Sequence, residues 1–142
     1  MEEQLDVAMQ QIKNRGITDS ALLFYDNDMV KRAYNYLKNE GYSIEANYRD
    51  KQDFRNDMAD LNFSSDNPKL MTYHSAKGLQ FEAVFMLECN PPEKMGIDPL
   101  YVAMTRSYRH LFVMYSAQLS CYFDAVPKDL YLTTLDSEKV AL

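Results

Sequence analysis

Leu5, Ala8, Met9 and Ile12 recur at i, i+3, i+4 and i+7, the spacing of one apolar helical face. Lys13 and Arg15 suit the negative end of that helix, and Gly16 is placed to stop it. After the polar turn Thr18-Asp19-Ser20 comes Ala21-Leu22-Leu23-Phe24-Tyr25, apolar without alternation. Such a run predicts a strand buried on both faces, as in a parallel sheet. Asp26-Asn27-Asp28 offers capping side chains to a second helix, in which Val30, Ala33, Tyr34 and Leu37 keep the 3.6 period and Gly41 ends it. Tyr42, Ile44 and Ala46 alternate with polar residues, predicting a short edge strand.

Phe54, Met58 and Leu61 predict a third helix, and Ser64-Ser65-Asp66-Asn67-Pro68 carries turn chemistry. Leu70–Tyr73 and Ala83–Leu87 read as buried strands separated by a polar turn. Asn90-Pro91-Pro92 breaks the pattern, after which Asp98 as N-cap and Pro99 at the first helical position start a helix. Leu100, Ala103 and Met104 would face inward, and Arg106 would ride on the same helix. Leu111–Tyr115 predicts another buried strand, and residues 116–142 a C-terminal extension of short helices packing back. Strands alternating with helices through short connections predict one α/β domain over residues 1–142, three-layered, with a mainly parallel sheet and helices on both faces. In such sheets the loops leaving the carboxyl ends of the strands carry function. That rule selects the segments after Tyr25, Tyr73 and Leu87.

A chain of 142 residues is large enough for a core without disulfides or metal. Its net charge of −6 gives no global attraction to nucleic acid or anionic membrane, so any such contact needs a local basic patch. Cys89 and Cys121 lack metal-ligand or redox-motif spacing and read as reduced thiols. Apolar runs fall far short of the ~20 residues that span a bilayer. The expectation is a soluble, cytoplasmic protein with no membrane contact and no bound metal.

The polar turn concentrates the candidate chemistry. Thr72, His74, Ser75 and Lys77 crowd hydrogen-bond donors around Gly78, whose lack of a Cβ permits conformations or close approaches barred to other residues. A donor-rich turn at the end of a buried strand suits an anion such as phosphate. Taken alone it also fits, and rather better, an exposed loop ending in a glycine. Arg106, taken alone, fits a surface cation as well as a group that stabilises charge in phosphoryl transfer. Arg109 and His110 read as solvent-facing.

Together the two clusters say more. Thr72-x-His74-x-Ala76-Lys77-Gly78-Leu79-x-Phe81, followed by Val84-Phe85, resembles motif V of superfamily 1A helicases, the UvrD/Rep/PcrA-like group. Leu100-Tyr101-Val102-Ala103-Met104-Thr105-Arg106-Ser107 resembles motif VI of the same group. Ala21–Tyr25 with the helix after it is similar to the weaker motif IV region, so the resemblance covers roughly residues 20–115, the second RecA-like motor domain. It implies that Arg106 is an arginine finger reaching the ATP γ-phosphate. Thr72 and His74 would touch single-stranded DNA, while Gly78 and Gln80 would lie on the nucleotide side. The family commonly has Glu where Gln80 stands, and a motif IV arginine at about Tyr25, for which Lys31 or Arg32 are the nearest substitutes. Ile97-Asp98-Pro99 replaces the charged residues that usually precede motif VI.

The sequence contains no G-x-x-x-x-G-K-[ST] phosphate loop and no acidic pair ending a buried strand. The chain therefore reads as the C-terminal part of a larger motor. ATP and Mg²⁺ would be used by the full-length enzyme, the Mg²⁺ being held by an upstream RecA-like domain. The isolated chain is expected to bind neither and to be inactive. Only 46 residues separate Tyr25 from Thr72, a short form resembling the RecD-like and HelD-like branches, the latter associated with RNA polymerase. A rival reading is a non-catalytic module docking on RNA polymerase or a DNA-repair partner. A third is an unrelated doubly wound nucleotide-binding domain.

Overall fold

A computed structural model of the protein describes residues 1–48, 61–90 and 95–115. The expected helix around Phe54 and Met58, the Pro91-Pro92 break, Cys121 and the extension at 116–142 lie outside the described residues.

Helix α1 (Glu2–Arg15) buries Leu5, Ala8, Met9 and Ile12, and Gly16 ends it in the left-handed conformation at φ 63°. That angle places only glycine without strain, and the Gly16 N–H closes the helix on Lys13 O. Strand β1 (Ser20–Phe24) is buried at every position. Helix α2 (Asn27–Asn39) starts at Asp26, whose carboxylate accepts the Met29 N–H at 2.9 Å. It satisfies one of the helix's orphan donors, a contribution of about 1 kcal/mol. Strand β2 shrinks to Glu45–Ala46, with Tyr42 exposed. Strand β3 (Lys69–Thr72) and strand β4 (Phe81–Met86) flank the polar turn, and helix α3 (Asp98–Met104) leads to strand β5 (Ser107–Val113).

Among the described residues, five strands form one parallel sheet in the order β2-β3-β1-β4-β5. On one face, Leu22, Phe24, Leu70, Ala83 and Phe85 pack against the buried sides of α1 and α2. On the other, Ala21, Leu23, Met71, Val84 and Met86 pack against Leu100 and Ala103 of α3 and against Tyr73 and Ala76 of the turn. These three layers are the expected α/β architecture, and they explain the unbroken apolar runs: neighbouring residues of β1 serve opposite cores.

Three expectations need correction. Asp98 is the first residue of α3 rather than its cap, a position held by Ile97 without a side-chain hydrogen bond. Arg106 is not on the helix, which closes at Thr105; Arg106 sits in the turn between α3 and β5. Strand β5 begins four residues earlier than the Leu111 start expected, and only Phe112 in it is fully buried. It occupies an edge of the described sheet, and its first four residues, Ser107 to His110, are exposed or half-buried, so no buried apolar run marks its start.

A polar network fixes the approach to β3. Lys69 is buried, and its ammonium donates to Asn67 O at 2.7 Å and to Ser65 O at 3.2 Å, with Glu45 at 3.8 Å. Glu45 in turn accepts from the Ser65 hydroxyl and the Asn62 N–H. Burial alone would raise the Glu45 pKa from 4.5, but these hydrogen bonds and the Lys69 charge together hold it lower. A carboxyl with a depressed folded pKa contributes stability that is complete above 4.5 and is lost as pH falls through the folded value. Glu45→Gln is therefore expected to cost about 1–2 kcal/mol at neutral pH and to flatten the acid limb of stability. Urea unfolding of both proteins from neutral pH down to the acid limb checks this; an unchanged limb in the variant would refute it.

Candidate functional site

Parallel pairing defines two edges of the sheet. Thr72 lies opposite Phe24 at the carboxyl edge, and Phe81 lies opposite Ser107 at the amino edge. Strands of this length separate the two edges by roughly 15 Å. The connection through residues 73–80 runs from the first edge of β3 to the second edge of β4, passing β1, which lies between those strands.

At the carboxyl edge the Thr72 hydroxyl accepts the Ser75 N–H at 3.2 Å and pairs with the Ser75 hydroxyl at 3.1 Å. Thr72 is 7% exposed, and it shapes its own turn, whereas His74 and Lys77 stand in solvent. The Ala76 N–H bonds to Thr72 O and the Lys77 N–H to His74 O, which winds the segment tightly. Gly78 has φ 83°, and a Cβ there would meet nothing within 4 Å. Its requirement is the backbone angle rather than a close approach. Leu79 N–H bonds back to Ala76 O, and Gln80 remains exposed beside the amino edge.

Arg106 arrives at that same amino edge. Its carbonyl accepts the Phe81 N–H at 2.8 Å, so Gln80 and Arg106 are joined through adjacent backbone. Its side chain is half-buried: Nε donates to Val102 O at 2.9 Å and one terminal nitrogen to the Thr105 hydroxyl at 3.0 Å. The sheet-edge rule thus selects Thr72 and His74 but not Gln80 and Arg106, which sit at the opposite end. The structure brings Gly78, Gln80 and Arg106 towards one edge and leaves Thr72 and His74 at the other.

Two residues outside the expected site set support the connection from beneath. Tyr73 and Cys89 are 1% and 0% exposed, and the Tyr73 hydroxyl donates to Cys89 Sγ at 3.8 Å. Burial raises the Tyr73 pKa strongly and pushes the Cys89 thiol up to about 11, against a smaller lowering by the Tyr73 hydrogen bond. At neutral pH Cys89 is a protonated, unreactive packing group. Only the apolar body of Tyr73 was legible, because a long-range hydroxyl–thiol contact leaves no local signal. Tyr25 is half-buried against both cores, and the Arg109–Glu82 ion pair, at 3.6 Å with Arg109 largely exposed, adds little. Among the described residues, no three His, Cys, Asp or Glu side chains gather to hold a metal ion, and no helix is long and apolar enough to cross a membrane.

A three-layer α/β domain whose described strands form a parallel sheet, crossed by a polar turn that ends beside Arg106, has the architecture of a RecA-like fold. Comparison with known proteins makes this specific. Residues 69–114 match the family model described as the UvrD-like helicase C-terminal domain. A probable DNA helicase II homolog of Mycoplasma genitalium is 40% identical over an alignment covering 40% of this chain and 10% of that protein. The crystal structure of the C-terminal domain of a possible DNA helicase from Lactobacillus plantarum superposes with a TM-score of 0.69, over 92% of this chain and 77% of that one, at 18% identity. At that identity the superposition speaks for the fold. Over residues 69–114 the chain is thus similar to the C-terminal domain of UvrD-like helicases, and its fold to that of a C-terminal domain from a possible DNA helicase. It spans about a tenth of the length of the curated relative it matches.

Proposed function

We propose that this chain is the C-terminal motor domain of an ATP-dependent DNA helicase or translocase, contributing half of an ATP site completed by an upstream RecA-like domain. Arg106 is the finger that neutralises charge on the γ-phosphate, with Gly78 and Gln80 beside the nucleotide. Thr72 and His74 contact the backbone of single-stranded DNA. Mg²⁺ is held by the upstream domain; the residues described here offer no ligand cluster for it.

The observation that carries this reading is the 73–80 connection. One end leaves β3 at the carboxyl edge with His74 exposed, and the other meets Arg106 through the Phe81–Arg106 hydrogen bond. A short, internally hydrogen-bonded segment with a ligand at each end can transmit a displacement between them. A flexible loop cannot. In this mechanism closure of the two motor domains brings Arg106 to the phosphate, and the rigid connection moves the strand-gripping end in step.

In the full-length protein, Thr72→Ala with His74→Ala is expected to weaken single-stranded DNA affinity by about tenfold, with a shallower salt dependence. Fluorescence anisotropy over a salt series measures this, and an unchanged affinity would remove the strand-contact assignment. Tyr25 at the position of the usual motif IV arginine, and Gln80 for Glu, favour a second reading: a helicase-derived module that docks on RNA polymerase or a repair partner without hydrolysing ATP. Lys31 and Arg32, on the first turns of α2, are the cations nearest that position in sequence. DNA-stimulated hydrolysis by the full-length protein separates the two readings.

A further inference from the structure

We propose that Thr105 is the positioning residue for Arg106, holding the guanidinium by one edge so that its other edge faces a pair of phosphate oxygens. This rests on the reading of Arg106 as the finger. Helix α3 ends at Met104, and the Thr105 hydroxyl lies 3.0 Å from both Tyr101 O and Val102 O. A threonine hydroxyl has one proton and two lone pairs. With its proton turned to those helix carbonyls, a lone pair is left for Arg106, whose Nη2 donates to it at 3.0 Å. Arg106 Nε donates to Val102 O at 2.9 Å. The carbonyls at a helix C-terminus carry partial negative charge, which favours a cation there.

Both contacts use the side-on edge of the guanidinium, formed by Nε and Nη2. A guanidinium has five N–H groups in a rigid fork. Of the three N–H groups left, on Nη1 and the outer side of Nη2, none has a partner among the described residues. That outer edge has the geometry for bidentate binding of phosphate oxygens. An unanchored arginine would have to give up its rotamer freedom at the moment of reaction. Here the helix end and Thr105 have already fixed it. Thr105 itself is exposed, so its substitution does not disturb the core.

The test compares Thr105→Val, Thr105→Ser, Arg106→Ala and the Thr105→Val/Arg106→Ala double variant of the full-length protein in steady-state ATP hydrolysis. Valine keeps the shape and loses the acceptor. Thr105→Val should lower kcat about tenfold or more while KM for ATP changes little, since misaimed catalytic groups cost rate rather than ground-state affinity. Thr105→Ser should recover most of the loss. In the Arg106→Ala background Thr105→Val should have no further effect, because the group it positions is gone. Wild-type kcat in Thr105→Val alongside an inactive Arg106→Ala overturns the positioning role and leaves the finger standing. A serine variant as slow as the valine one, or a further loss in the double variant, places the role of Thr105 outside the hydroxyl–guanidinium contact and overturns it as well. An active Arg106→Ala overturns the finger reading, and this inference with it.

Discussion

Replacing Arg106 by alanine in the full-length protein is expected to lower the rate of ATP hydrolysis by 10³-fold or more, within the roughly 10³–10⁵ that an arginine finger supplies in phosphoryl transfer. The transferred phosphoryl group spreads charge over its outer oxygens, and a fixed guanidinium in a closed, water-poor cleft stabilises that charge without reorganising. Arg106 suits this role because it is held at a helix end by Val102 O and the Thr105 hydroxyl rather than waving in solvent. The substitution should leave the fold intact, since the backbone bond from Phe81 to Arg106 O survives in alanine. Circular dichroism and the unfolding midpoint check that second half of the expectation.

A second large effect is expected at Phe85, on the interior strand β4. Its ring is fully buried and stacks on Phe112 at 4.5 Å between centroids and 4° between planes, tying β4 to β5. The Arg15 guanidinium lies 5.5 Å from the Phe112 ring and extends the contact to the end of α1. Phe85→Ala should cost about 3–5 kcal/mol through lost burial and the cavity left behind. Domains are stable by only roughly 5–15 kcal/mol, so this consumes a large share of the total. Urea unfolding measures it, and a loss below about 1 kcal/mol would mean that the sheet collapses around the missing ring.

The contrast between Phe85 and Arg106 shows what the residue pattern discloses. Leu22, Phe24 and Phe85 were readable as core because doubly buried strands have no polar alternation to confuse them. Asp26 and Gly16 were readable because capping and left-handed termination are local chemistry. The order β2-β3-β1-β4-β5 was not readable, since strand pairing joins distant segments whose side chains all look alike. Nor was the burial of Lys69, whose partners Glu45, Ser65 and Asn67 converge only after β2 and β3 pair.

The candidate site divides in the same way. Thr72, His74, Gly78, Gln80 and Arg106 were singled out by the resemblance to helicase motifs V and VI. Their distribution over two sheet edges was not legible, because that depends on which strand the 73–80 connection passes. No glycine or proline marks the end of helix α3, so the sequence pattern carries it through Arg106. It stops instead where Thr105 turns its hydroxyl back onto the helix carbonyls. That same hydroxyl is what aims the arginine.

The most direct test of the shared-site account is the ATP turnover of the full-length protein, measured with and without single-stranded DNA for the wild type and Arg106→Ala side by side. The account predicts DNA-stimulated hydrolysis by the wild type and, in the variant, a rate lower by 10³-fold or more with no stimulation. Turnover by the variant within about threefold of wild type, or a folded wild type that does not hydrolyse ATP with DNA present, would contradict it.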